Sequence, residues 1–97
     1  MAVNFVDYEV LAQGKTEYAN QAAAIMDIVD KINRMNADLM QGWSNDTARA
    51  FVERISNDHI PKLQKASAAI QEVSAYINTY LANKQEEDSQ GASAISG

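Results

Sequence analysis

No cysteine occurs among the 97 residues, which excludes disulfides, thiolate zinc sites and cysteine nucleophiles together and leaves the fold to packing. Glycine appears only at positions 14, 42, 91 and 97, never clustered, so no loop cradles a phosphate. Bases are scarce beside acids, eight against thirteen, for a formal charge of −5 and a pI near 4.6. Clustered Lys and Arg drive binding to a phosphate backbone, so nucleic acid is excluded as a partner. Long apolar runs are missing too. The longest unbroken aliphatic stretch is Ala22-Ala23-Ala24-Ile25-Met26, far short of the roughly 20 residues that span a bilayer. No basic stretch leads into an apolar one at the amino end, so neither membrane insertion nor a cleavable secretory signal is expected. A single domain of this length buries only about 60 to 65% of the surface its unfolded chain exposes, and self-association would relieve that shortage.

What is present is helical periodicity. Leu11, Tyr18, Ile25, Ile32 and Leu39 recur every seven residues, with Ile28, Met35, Ala22 and Val29 widening the stripe beyond what one facing helix requires. A second stripe follows at Val52, Ile55, His59, Leu63, Ala66, Ile70, Val73, Ile77 and Tyr80, flanked by Phe51, Tyr76 and Leu81. The first helix is expected over about 5–41, capped by Asn4 with Val3 and Tyr8 spaced as a hydrophobic staple, or else starting after Gly14. Gly14 itself marks either fraying or a close helix approach. The second helix is expected over about 46–84. Pro61 lacks an amide hydrogen and crowds the carbonyl of Asn57, predicting either a kink in one helix or two helices joined by Ser56-Asn57-Asp58-His59-Ile60-Pro61. Residues 1–88 are expected to form the hairpin, ending on the acids Glu86, Glu87 and Asp88, and 89–97, small and polar, read as a flexible tail.

Between the stripes lies the turn Gly42-Trp43-Ser44-Asn45. Gly42 is expected in the left-handed conformation that closes a helix, Ser44 or Asn45 as the next cap, and Asp46 at the positive end of the second helix dipole. The only tryptophan thus stands at the bend, where its ring either plugs the end of the core or is read by a partner, two roles that are compatible.

A tryptophan-centred turn between two long helices in a chain of about 100 residues resembles the WxG family of small type VII secretion proteins, early secretory antigen type. The residues that carry the likeness are Trp43, Ala48 five positions on, Phe51 eight positions on, and the stretch Ile60-Pro61-Lys62-Leu63-Gln64-Lys65-Ala66-Ser67-Ala68-Ala69-Ile70-Gln71-Glu72-Val73. The family has glycine two places after the tryptophan. Asn45 stands there instead, the non-glycine residue most tolerant of positive φ, so the same turn is expected. Members or their partners often carry a tyrosine followed four positions later by an acid after the second helix. Here Tyr76 is followed by Tyr80 and Tyr80 by Lys84, so a bipartite export signal would need a partner chain. Phe5 and Glu9 have the spacing at the other end, as such pairs do by chance on an acidic helix.

Catalysis finds little to stand on. The single histidine, His59, falls on the apolar stripe, where a packed or interfacial residue outnumbers a ligand or base. Asp27 and Asp30 share a solvated face with Lys31 and form a poor metal site without histidines or a pocket. No catalytic, cofactor-binding or metal residue is assigned, and no cofactor is expected.

The sequence therefore predicts an all-α protein, an antiparallel two-helix hairpin dimerising into a four-helix bundle. Its interface residues are Leu11, Tyr18, Ile25, Ile28, Val29, Ile32, Met35, Leu39, Leu63, Ile70, Val73 and Ile77. The resemblance implies a non-enzymatic, virulence-associated protein of a Gram-positive bacterium, made in the cytoplasm and secreted as a folded dimer without a cleavable signal. Its partners would be itself, a related hairpin protein or the helical amino-terminal domain of a toxin, and a secretion ATPase. The alternative is an adaptor or targeting chaperone that covers such a toxin domain before export. A third class, a cytoplasmic coiled-coil scaffold, would lack secretion genes as neighbours.

Overall fold

The computed structural model describes the backbone of residues 5–96 and the side chains of residues 5–88. Asp7 initiates the first helix, α1 (Tyr8–Gly42): extended at φ −96° and ψ 100°, it accepts through Oδ1 from the amides of Glu9 and Val10, both at 3.1 Å. Helix α1 thus begins three residues later than expected, because Asp7 offers the carboxylate that satisfies first-turn donors. The proposed Asn4 cap and Val3 staple fall outside the described residues. Helix α1 passes straight through Gly14, where an added Cβ would meet only Ile77 Cδ1 at 3.9 Å, an ordinary contact. Neither fraying nor close approach explains that glycine.

After a three-residue connection the chain returns as α2 (Asp46–Arg54), a π-helical turn (Ile55–His59) and α3 (Ile60–Ser96). The second arm is therefore unbroken by Pro61, and the strain of the proline is taken up by the wider turn just before it. There Ile60 N–H bonds back to the carbonyl of Ile55, five residues earlier. Helix α3 also continues through the segment expected as a tail. Residues 85–96 hold no proline, and extending an existing helix adds one bond per residue fixed.

Two long-range bonds fix how the arms pair. The Ser67 hydroxyl donates to the Ala22 carbonyl and the Ser74 hydroxyl to the Lys15 carbonyl, each at 2.8 Å. Partners rise on one arm as they fall on the other, so the arms are antiparallel. Two helices form one helical hairpin, with no strand among the described residues. Its radius of gyration is 21.9 Å, against about 12 to 13 Å for a compact domain of this size, and its extents are 75 × 24 × 17 Å. It is a rod with a single seam and no enclosed centre.

The seam is thin. Ala22, Val29, Ala48, Ile60 and Leu81 are its buried apolar side chains, joined by the polar Asn36, Ser67 and Ser74. Leu11, Ile25, Ile32, Leu39, Leu63, Ile70 and Ile77 line it half-buried. The residues that repeat on the second arm differ from those expected. Ile60, Ser67, Ser74 and Leu81 face α1, whereas His59, Ala66, Val73 and Tyr80 are exposed. The π-helical turn holds one residue more than an α-helical turn in that span, and everything after it is shifted by one position.

Candidate functional site

The bend is built by two caps. Trp43, at φ −140° and ψ 84°, ends α1, and its amide donates to the Leu39 carbonyl at 2.7 Å. Asn45, at φ −151° and ψ 178°, is fully extended, and its Oδ1 accepts from the Ala48 amide at 2.9 Å. Among the described residues no glycine and no other residue has positive φ, which corrects two expectations at once. Gly42 is simply the last helical residue of α1, and Asn45 is an N-cap. The reason is local: an extended residue with a short acceptor side chain closes the new helix directly, so no left-handed residue is required. Ser44 does not cap.

The Trp43 ring is half-buried and leans against Phe51, with ring centroids 5.8 Å apart and planes inclined by 50°. That distance and tilt suit the quadrupoles of two aromatic rings. Helix α2 presents Phe51 for this because Asn45 and Asp46 set its start, and Ala48, at 0% exposure, lets it lie close to α1. Phe51 itself stays nearly half exposed, so the pair forms an aromatic cap that also shows a face to solvent.

A larger apolar surface lies along one flat side of the rod. At the open end Phe5, Val6, Val10 and Leu11 meet Tyr76, Ile77 and Tyr80 around a groove of about 570 Å³. Phe5 and Tyr76 are 78% and 73% exposed there, values that no covering group within the hairpin lowers. Toward the bend the same side carries further exposed apolar side chains, Ile28, five helical turns beyond Val10, then Met35, and on α3 Val73 one turn before Tyr76, with the polar pair Glu17 and Gln21 between Val10 and Ile28. Tyr18 is also exposed. The opposite side is lined by small and polar groups, Ala19, Ala23, Gln64, Ala68 and Gln71, beside Met26.

The expected interface residues thus divide in two. Tyr18, Ile28, Met35 and Val73 stay available on the surface, while Leu11, Ile25, Ile32, Leu39, Leu63, Ile70 and Ile77 line the hairpin's own seam. Val29, 2% exposed, lies wholly within that seam. Tyr76, Tyr80 and Phe5 were missing from that set. Their signal was the aromatic spacing at 76 and 80, which is legible only once the seam is known.

Electrostatics separate the two ends. Beyond the Ser67–Ala22 bond toward the bend, residues 23–66 hold six acids and six bases. Residues 5–22 and 67–88, toward the open end, hold seven acids against two bases, so the whole net charge of −5 sits there. The ion pairs Lys31–Asp27, Arg49–Asp46, Lys62–Asp58 and Lys84–Glu87 each lie within one arm, at 3.0 to 3.6 Å and largely solvated. Lys62 beside Asp58 holds that carboxyl below its usual range. At the open end the Tyr8 hydroxyl donates to Asp88, and this bond, with desolvation and the Asp88 charge, pushes the phenol up to about 12. Among the described residues no three His, Asp or Glu side chains group to hold a metal, and no helix is long and apolar enough to cross a membrane. The sequence matches no protein-family model, and no curated protein or solved structure proves similar to it.

Proposed function

We propose that the chain is a non-enzymatic helical-hairpin protein of the WxG type, which pairs through its apolar flat side and is exported as a folded dimer by a bacterial type VII (ESX-like) secretion system. The observation that supports this best is the conjunction of an aromatic bend, Trp43 on Phe51, with an uncovered apolar side on a hairpin whose own seam is thin. Along the 35 residues of α1, about 50 Å, a side 24 Å wide exceeds the about 800 Å² that each partner of a stable complex contributes. A second copy fits best head to tail. That arrangement sets each acidic open end beside a neutral bend end, whereas parallel packing would crowd two ends of charge −5. The alternative, an adaptor or targeting chaperone for the helical amino-terminal domain of a larger secreted toxin, uses the same side with a different occupant.

The test is Trp43→Ala, measured for stability and for export in a strain that carries the neighbouring secretion genes. A half-buried tryptophan against one ring should contribute about 2 kcal/mol, below the 3 to 5 of a fully buried aromatic. The expected result is a folded but weakened protein retained in the cells. A variant as stable as the parent and as abundant in the medium would overturn the proposal.

A further inference from the structure

Side chains that face one neighbouring helix recur at alternating steps of four and three. Helix α1 keeps that rhythm from Ala22 through Ile25, Val29, Ile32 and Asn36 to Leu39. The second arm keeps it through Ala48, Val52 and Ile55, and again from Ile60 through Leu63, Ser67, Ile70, Ser74 and Ile77 to Leu81. One step between these runs is five, from Ile55 to Ile60, and it coincides with the π-helical turn whose Ile60 amide bonds to the Ile55 carbonyl. We infer that one residue of the stretch 55–59 is an insertion into an otherwise regular arm, and that the π-helical turn is a register selector that decides which row of α3 is left outside.

Two rows compete for the inside. The observed inner row is Ile60, Ser67, Ser74 and Leu81, and one position earlier runs His59, Ala66, Val73 and Tyr80. Both rows share the neighbours Leu63, Ile70 and Ile77. A continuous α-helix from Ile55 would turn all that follows by about 100°, bringing the second row in. Val73 and Tyr80 would then leave the apolar side, and the Ser67 and Ser74 hydroxyls would lose the Ala22 and Lys15 carbonyls. Pro61 opposes that straight helix, in which it could not donate to Asn57 and its ring would press on that carbonyl. The extra residue and the proline together keep two serines in and two large apolar side chains out. The register stands independently of the proposed secretion; only the use of Val73 and Tyr80 by a partner rests on that proposal.

The absence of native cysteine makes the test direct. With Ala22→Cys in place, Ser67→Cys should oxidise to a disulfide within one chain and Ala66→Cys should not. Preferential closure of the Ala66→Cys pair would overturn the register. Deletion of Asn57 combined with Pro61→Ala restores uninterrupted steps of four and three. That variant should melt cooperatively at or above the parent's Tm and still close the pair at 22 and 67, while deletion of Ala69, which puts the rest of α3 out of phase, should abolish cooperative melting. Equal damage from the two deletions would show that no residue in the turn is supernumerary.

Discussion

Asn45 shows how one side chain sets a local structure. Its carboxamide oxygen supplies a first-turn acceptor for the Ala48 amide, so Asn45→Ala should lower unfolding free energy by about 1 kcal/mol in a urea titration. Asn45→Gly should cost only a few tenths and Asn45→Ser close to nothing, because the backbone there is extended and any residue adopts it. An unchanged midpoint for Asn45→Ala would show that water replaces the cap. The residue type was legible beforehand as a helix-starting residue, but its conformation was not, since asparagine serves both left-handed turns and N-caps. Ser67 and Ser74 were hidden for a related reason. A scan for apolar periodicity passes over a serine, although a small hydroxyl that bonds to the facing helix suits a tight seam better than a bulky chain.

At the scale of elements, helix existence, the bend position and the antiparallel return were all readable from two stripes and the helix-breaking residues between them. The phase of α3 was not. Both of its rows satisfy helical spacing, and a single unpaired step decides between them, which no count of apolar residues weighs. Helix ends were also less legible than helix bodies, as Asp7 and the extension of α3 to Ser96 show. Gly14 gives a prediction here. It sits inside α1 with helical backbone and room for a methyl group, so Gly14→Ala should raise stability by about 0.5 to 1 kcal/mol through lower unfolded-state entropy. Thermal melts followed by helical ellipticity would measure it, and a lowered Tm would mean that Ile77 cannot yield the space.

For the whole molecule the informative contrast is between neighbours on α1. Val29→Asp places a carboxylate in the seam and should unfold the hairpin, whereas Ile28→Asp, on a side chain 47% exposed, should leave helicity intact and prevent pairing. Light scattering should then give the parent about twice 10.6 kDa and the Ile28→Asp protein the mass of one chain. A parent of single-chain mass would remove the homodimer and leave the partnered adaptor. Higher salt should matter little to head-to-tail pairs, whose charged ends are already apart, and would strengthen parallel ones by screening. The dimensions of the rod carry one more consequence. What passes end-on through an aperture is limited by the two short axes, here 24 and 17 Å, and not by the 75 Å length. One hairpin therefore needs an opening of 24 by 17 Å, while two stacked across the 17 Å direction need one about twice as large in that direction, roughly 24 by 34 Å. The width of any channel that admits this protein without unfolding it would distinguish passage in pairs from passage in single file.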